Sequence, residues 1–169
     1  MGDRLFVGVL GNKNSGKSRT WNTLFGTKVK TGKKARRLSL YGGECVDVFL
    51  VSGSFEERQL YAGDVLDSQA CRIILCSMQY TEAVRQTLDY VSVNEFDVFV
   101  QWLNPGHRDK GESFDRLGLL SWLIGHRATV HVRDGKPSAI DRTEELRQFI
   151  HGWAKARNLI YPCPGSVLP

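Results

Sequence analysis

The chain has 169 residues, of which 41% are hydrophobic, and it carries a formal net charge of +5. This size suits one α/β domain with a sizeable core, and the hydrophobic content is ordinary for a globular protein. No apolar run approaches the roughly 18 residues that cross a bilayer, and the charged N-terminus lacks the layout of a signal peptide. We therefore predict a cytoplasmic protein without a membrane span.

The first predicted elements are a strand and a helix joined by a glycine-rich loop. Residues 5–10 form an apolar run of strand length, and Trp21, Leu24 and Phe25 fall on one face of a helix. Between them lies Gly11-Asn-Lys-Asn-Ser-Gly-Lys-Ser18, which satisfies the pattern G-x-x-x-x-G-K-[ST]. The backbone N–H groups of such a loop surround phosphates, and the helix N-terminus adds partial positive charge. The segment therefore predicts a phosphate-binding site.

The motif assigns a role to each of its residue types. Lys17 reaches the terminal phosphates and is a candidate catalytic residue, and Ser18 offers a hydroxyl to Mg²⁺. The expected ligand is GTP or ATP with Mg²⁺. The predicted nucleotide contacts in this loop are Gly11, Asn12, Lys13, Asn14, Ser15, Gly16, Lys17, Ser18 and Arg19.

The next predicted elements are a hairpin and a helix. Residues 38–41 and 45–51 are strand-like and are separated by Gly42-Gly43-Glu44, which predicts two antiparallel neighbours. Ser54-x-x-Glu57 is a capping-box signal, which predicts a helix that runs to about Asp67.

The rest of the chain alternates between strands and helices. Strands are predicted at 72–76, 97–102 and 128–132, and helices at about 84–91, at 114–124 and from Asp141 onward. The sequence therefore predicts an α/β domain over residues 1–161, with a six-stranded, mainly parallel sheet and one antiparallel hairpin. Residues 162–169 are predicted to form an irregular C-terminal tail.

Positive charge is concentrated in residues 28–37, which contain six lysines and arginines. Such a segment is typical of a solvated loop, and it also suits an acidic protein surface, a nucleic-acid backbone or the phosphates of the bound nucleotide. The four cysteines contain no C-x-x-C pair, which favours a reducing compartment over a disulfide framework or a zinc site.

The element order and the opening motif resemble the Ras-like and Era-like small GTPase domain. Gly11-Asn-Lys-Asn-Ser-Gly-Lys-Ser-Arg-Thr-Trp-Asn-Thr-Leu-Phe-Gly26 is similar to the family's opening, in which an Asn on the helix and a Leu-x-Gly follow the loop. One antiparallel hairpin directly after the first helix is also the family's arrangement. The resemblance implies a three-layer P-loop NTPase that acts as a nucleotide-dependent switch.

The chain departs from this family at the residues that support hydrolysis. The resemblance implies Asp-x-x-Gly at the end of the third strand, where this chain has Leu50-Val-Ser-Gly53, so a leucine stands at the position of the metal-binding Asp. Ser54 stands where many such enzymes have a water-orienting Gln. Glu56 and Glu57 follow at once and are the candidate substitutes, as catalytic acids.

The base-reading motif of the family, Asn-Lys-x-Asp, is also altered. After the fifth predicted strand the chain has Leu103-Asn-Pro-Gly-His107, which keeps Asn104 as a nucleotide contact but places His107 where a carboxylate accepts hydrogen bonds from guanine. Asp109 lies two residues further on as an alternative acceptor. The sequence therefore leaves GTP and ATP both open.

Switch and partner residues follow from the same resemblance. Thr31 is the predicted switch threonine that completes the Mg²⁺ shell, with Thr27 as the rival. A protein partner is predicted to contact residues 28–37 and 53–61, with nucleic acid as a second partner for 28–37.

Three functions remain open at this point. The first is a switch or weak Mg²⁺-dependent NTPase, slow alone or activated by a partner. The second is a phosphotransferase in which Arg36, Arg37, Arg108 or Arg116 clamps the transferred phosphate, and the third is a catalytically inert nucleotide-binding assembly subunit.

Overall fold

A computed structural model describes residues 2–165 as a mixed α/β fold. The strands are β1 (Leu5–Gly11), β2 (Arg36–Ser39), β3 (Glu44–Val51), β4 (Ile73–Gln79), β5 (Asp97–Leu103), β6 (Thr129–Arg133) and β7 (Tyr161–Pro162). The helices are α1 (Lys17–Phe25), α2 (Phe55–Arg58), α3 (Ala62–Leu66), α4 (Val84–Val93), α5 (Leu119–Gly125) and α6 (Ile140–Lys155). Within residues 2–165 no helix has both the length and the hydropathy to span a membrane.

The strands form one sheet in the order β2-β3-β4-β1-β5-β6, with β7 added to β3. The pairs β3/β4, β4/β1, β1/β5 and β5/β6 are parallel, whereas β2/β3 and β3/β7 are antiparallel. A mainly parallel sheet with an antiparallel hairpin after the first helix is therefore confirmed. Because β4 lies between β1 and β3, the residue that pairs with Gly11 is Gln79 at the end of β4.

The centre of the sheet is apolar and buried on both faces. All seven residues of β1 are buried. Phe6 and Leu10 pack in one apolar cluster with residues of α2 to α5, whereas Leu5, Val7 and Val9 pack in a second cluster with residues of α1 and α6. Since successive side chains of a strand point to opposite faces, the helices cover both sides of the sheet.

Parallel strands bring the loops that follow them to one edge of the sheet. The loop after β1, the loop at 104–118 after β5 and the turn at 134–139 after β6 all begin at this edge, because β1, β5 and β6 are adjacent and parallel. In parallel α/β sheets ligands bind at the carboxyl ends of the strands. The fold therefore gathers three loops around the glycine-rich segment.

Several predicted boundaries are corrected by the structure. The helix predicted from Ser54 to Asp67 starts as expected, with the Ser54 hydroxyl accepting from the Glu57 amide at 3.2 Å, but it breaks at Gln59, which adopts a φ of 53°. The helix predicted over 114–124 starts only at Leu119, and Phe114 is exposed. The apolar spacing predicted a helix there but ran past the left-handed Gly118 that precedes it, and the buried residues of α5 are Leu119 and Leu123, whereas Ile124 is exposed.

The sheet has a seventh strand that the sequence did not predict. The chain returns after α6, and Tyr161 and Pro162 pair with Cys45 and Glu44 of β3. Residues 162 and 163 of the predicted irregular tail are therefore attached to the sheet, whereas residues 166–169 lie outside the described residues.

The expectation of no disulfide is wrong, because Cys45 and Cys163 are bonded. The two cysteines are 118 residues apart, so no local spacing reveals them, and only the pairing of β7 with β3 brings them together. Cys71 and Cys76 are free thiols.

Candidate functional site

The glycine-rich loop connects the end of β1 to the start of α1. Gly16 has a φ of 103° and directly precedes α1, and Asn14 has a φ of 61°. Gly16 therefore needs the conformational freedom of glycine, because an L side chain rarely adopts this backbone. The Ser15 amide donates to the Asn12 carbonyl at 3.2 Å, which closes a tight turn. The loop brings the N-terminus of a nine-residue helix to the surface cleft.

Lys17 lies under this loop and is only 7% exposed. Its ammonium donates to the carbonyls of Asn12 at 2.7 Å and Gly11 at 3.2 Å. Burial lowers the pKa of the Lys17 amine, and the carboxylates of Glu57, Glu56 and Asp109 oppose that shift. The amine is thus held by neutral acceptors in a partly desolvated position, where an anion would gain strongly from contact with it.

The loop forms the floor of an open cleft of about 810 Å³. The cleft is lined by residues 13–19 together with Ser52, Glu57, Gln79, His107 and Arg108. The structure therefore brings seven of the nine predicted loop contacts to one cleft. Gly11 and Asn12 lie behind it, where their carbonyls hold Lys17.

Two neighbouring loops press on the glycine-rich loop at Ser15, which is fully buried. The His107 amide donates to the Ser15 carbonyl at 2.8 Å. A Cβ on Gly106 would lie 2.5 Å from Ser15 Cβ, and one on Gly135 would lie 2.6 Å from the Ser15 carbonyl oxygen. Both positions therefore require glycine because the backbones approach too closely for any side chain. We call Gly106, Gly135 and Ser15 the glycine clamp.

The loop after β5 uses its polar side chains internally. The Asn104 side chain donates to the Ser113 carbonyl at 2.9 Å and accepts from the Ser113 amide at 2.7 Å. Asn104 is 9% exposed and is not among the cleft-lining residues, so its role as a nucleotide contact stays a prediction. One carboxylate oxygen of Asp109 accepts from Asn12 Nδ2 at 3.1 Å and from the Gly106 amide at 2.8 Å. Asp109 thus ties this loop to the glycine-rich loop.

The two candidate acids at the start of α2 point to different surroundings. Glu57 lines the cleft. Glu56 accepts from the Gln79 amide at 3.2 Å and from the Thr87 hydroxyl at 2.7 Å, so both of its oxygens have partners. Glu57 is accordingly the better placed of the two to meet a ligand, whereas Glu56 joins α2 to β4 and α4.

The predicted switch threonine holds the basic segment against the end of β3. Thr31 Oγ1 accepts from the Ser52 amide at 2.9 Å and from the Gly53 amide at 3.1 Å. The same oxygen would have to leave both amides to bind Mg²⁺. Ser18 lines the cleft, and the rival Thr27 is exposed.

A magnesium ion in this cleft would need oxygen atoms from the bound ligand as well as from the protein. Among the described residues no group of three or more His, Cys, Asp or Glu side chains could hold a metal ion. Mg²⁺ beside phosphates commonly takes only one or two protein oxygens and completes its shell with phosphate and water. The Ser18 hydroxyl in the cleft fits that limited donor set.

Two residues of the site were missed by sequence reasoning. Gln79 lines the cleft beside the loop, but the strand was predicted to end at residue 76. Arg142 of α6 is 4% exposed and donates to Gly16 O at 3.4 Å and to Thr20 Oγ1 at 3.3 Å. Burial, reinforced by the charge of Arg19, lowers the pKa of Arg142, and Asp134 opposes the shift. No local pattern marks an arginine that reaches back across the fold.

Comparison of the chain with protein-family models gave no match, and comparison with curated protein sequences gave none either.

Proposed function

We propose that the protein binds a nucleoside triphosphate with Mg²⁺ through residues 11–18 and acts as a small-GTPase-like switch or weak NTPase together with a partner. The observation that carries this proposal is the buried Lys17 ammonium, held only by loop oxygens beside a helix N-terminus in an open cleft. Ser18 would hold Mg²⁺, which supplies charge neutralisation between the phosphates when bound.

The architecture supports a three-layer P-loop NTPase. Helices cover both faces of the sheet, and the loops after β1, β5 and β6 meet at the glycine-rich loop. Because β4 pairs with β1, Gln79 at the end of β4 lies beside Gly11 and lines the cleft. A terminal phosphate of the nucleotide would lie at this end of the cleft.

The surroundings of the cleft favour slow chemistry. Leu50 is fully buried in β3, and Ser54 is buried as the cap of α2, so neither takes part in metal binding or water positioning. Glu57 remains as the cleft-lining acid that would orient water. The same surroundings favour the alternative of an inert nucleotide-binding subunit. Of the four arginines of the phosphotransferase alternative, Arg108 lines the cleft, which keeps that third function open.

Calorimetric titration of the full chain with Mg·ATP and Mg·GTP tests the proposal. We expect one site with at least micromolar affinity, on the order of −8 kcal/mol. Absence of binding by both nucleotides at millimolar concentration would overturn the proposal.

We expect only a modest preference between the two purine bases. Asp109 is not among the cleft-lining residues, and one of its carboxylate oxygens accepts from Asn12 and from the Gly106 amide, so among the described residues the loop after β5 contributes no carboxylate to the cleft lining. A site built for polar readout discriminates by roughly 10⁴-fold, whereas we expect ATP and GTP to compete within about a hundredfold of each other. Competition calorimetry measures the ratio, and GTP binding that a thousandfold excess of ATP leaves intact would contradict it.

We also expect hydrolysis by the isolated chain to be slow. Intact small GTPases without a partner reach only about 10⁻⁴ to 10⁻² per second, and this chain lacks their Asp and Gln. Phosphate release under multiple turnover measures the rate, with Lys17→Met as the blank. A rate above roughly one per second would contradict this expectation, and Glu57→Gln would then be the first variant to measure. Acceleration by a partner would distinguish the switch from the inert subunit.

We expect the basic segment at 28–37 to respond to the nucleotide. Thr31 is bonded to Ser52, which lines the cleft, and the Gly32 amide donates to Leu50 O at 3.4 Å. A triphosphate bound beside Ser52 should therefore slow hydrogen exchange in this segment, and Thr31→Val should remove the effect while the exposed Thr27→Val retains it. If hydrogen exchange in this segment is identical with and without a non-hydrolysable triphosphate, the segment is a permanently solvated basic loop and this expectation is wrong.

The same segment is the proposed partner surface. Its six cations suit an acidic protein or a nucleic-acid backbone, and the neighbouring segment at 53–61 exposes Leu60 by 42% and Tyr61 by 48%. The apolar side chains favour a protein partner over nucleic acid, because phosphate backbones offer them little to contact.

A further inference from the structure

One side wall of the cleft carries hydrogen-bond donors and positive charge. Arg19 Nη1 lies 2.7 Å from His107 Nδ1, and Arg108 follows directly in the same wall. A guanidinium has no acceptor, so Nδ1 of His107 accepts this bond and the ring hydrogen is on Nε2. Arg19, His107 Nε2 and Arg108 therefore all offer donors. We call these three residues the donor wall.

The acidic side chains near the donor wall interact with other groups. Glu57 is the one carboxylate among the described residues that line the cleft, and its charge acts on Lys17. Asp109 has an oxygen bonded to Asn12 and to the Gly106 amide. The salt bridges found within residues 2–165 include neither Arg19 nor Arg108.

A buried cation behind the wall adds to its positive potential. Arg142 is 4% exposed, forms no salt bridge within the described residues and is close enough to Arg19 for their charges to repel. Burying an unpaired charge is costly unless an anion compensates it. Asp134 offsets part of the charge of Arg142, whereas Arg19 and Arg108 of the wall have no salt-bridge partner among the described residues.

We propose that the donor wall is a second anion subsite, which binds a phosphate monoester group next to the polyphosphate held by the glycine-rich loop. This inference rests on the proposed nucleotide binding. Guanidinium groups bind phosphate oxygens through paired, charge-assisted hydrogen bonds. The phosphate comes either from the ribose of the same nucleotide or from a separate phosphorylated molecule.

Calorimetry with three probes tests the subsite and separates its two sources. The first comparison is Mg·ATP against Mg·ATP carrying an additional 3′-phosphate, and the second is ribose 5-phosphate titrated into protein saturated with Mg·ATP. Each is measured for the wild type, Arg108→Gln, Arg19→Gln and Arg127→Gln. Arg127 is an exposed arginine at the opposite edge of the sheet, so its variant controls for the loss of one positive charge.

If the ribose phosphate is the source, the 3′-phosphate strengthens binding by about ten- to hundredfold in the wild type and in Arg127→Gln, and the gain disappears in Arg108→Gln and Arg19→Gln. If a separate molecule is the source, ribose 5-phosphate binds the ATP-loaded protein, and the same two variants abolish its binding. The proposed subsite is overturned if the wild type binds ATP but shows neither effect. It is also overturned if an effect persists in both arginine variants. A wild type that binds neither Mg·ATP nor Mg·GTP overturns the proposed function as well.

Discussion

Lys17→Ala is expected to lower the affinity for Mg·ATP or Mg·GTP by at least about tenfold, equivalent to ~1.4 kcal/mol. Lys17 is 7% exposed and its ammonium lies within 3.2 Å of two loop carbonyls, so its charge would meet bound phosphate in a partly desolvated setting. Electrostatic attraction is stronger there than at an exposed site. Calorimetry of both nucleotides measures the loss.

Two further variants make this result specific. Lys17→Met keeps the buried alkyl chain and removes only the charge, so a similar loss of affinity would exclude an effect of packing. Lys110→Ala removes an exposed lysine that lies outside the cleft lining and should leave the affinity unchanged. Equal binding by the wild type and both Lys17 variants would refute the role of this residue.

Gly135→Ala is expected to lower both stability and nucleotide affinity, although Gly135 is far from the glycine-rich loop in the sequence. Its Cβ would lie 2.6 Å from the Ser15 carbonyl oxygen, 3.1 Å from the His107 amide nitrogen and 3.2 Å from Gly106 Cα. All three are backbone atoms, so the methyl group must push two loops apart. Overpacking of this kind costs about 1–3 kcal/mol in stability, and the displaced glycine-rich loop should bind nucleotide more weakly.

The matched control is Gly152→Ala in α6, where an added Cβ meets no atom within 4 Å. Alanine in a helix interior is more favourable than glycine by about 0.5–1 kcal/mol, so this variant should be more stable and bind normally. Urea unfolding and calorimetry compare the two. Gly135→Ala with wild-type stability and affinity would show that the glycine clamp is unnecessary.

Local patterns were enough to predict the floor of the site. The strand, the glycine-rich loop and the helix are consecutive, so period, spacing and loop chemistry are all legible within residues 5–25. The hairpin was equally local, since Gly42 and Gly43 both have positive φ in the turn between β2 and β3.

Gln79 and Arg142 could not be predicted from the sequence because their places in the site depend on strand order and on distant packing. Nothing in residues 73–79 says that this strand lies beside β1, and so Gln79 was overlooked. The tertiary bonds of Arg142 and the Cys45–Cys163 disulfide join parts of the chain more than a hundred residues apart. The sequence next to a charged residue or a cysteine does not show whether its partner is water or a residue in a distant loop.

Arg142 also determines at which stage of synthesis the site can form. The glycine-rich loop precedes the groups that hold it in the chain, since its Gly16 carbonyl is held by a side chain 126 positions later. Gly135 reaches Ser15 from the same late part of the chain. Because the N-terminal part of a growing chain emerges first, the loop is exposed before the groups that shape it. If the proposed nucleotide binding holds, its affinity depends on Gly135 and Arg142 being in place, and binding would report that α6 has docked.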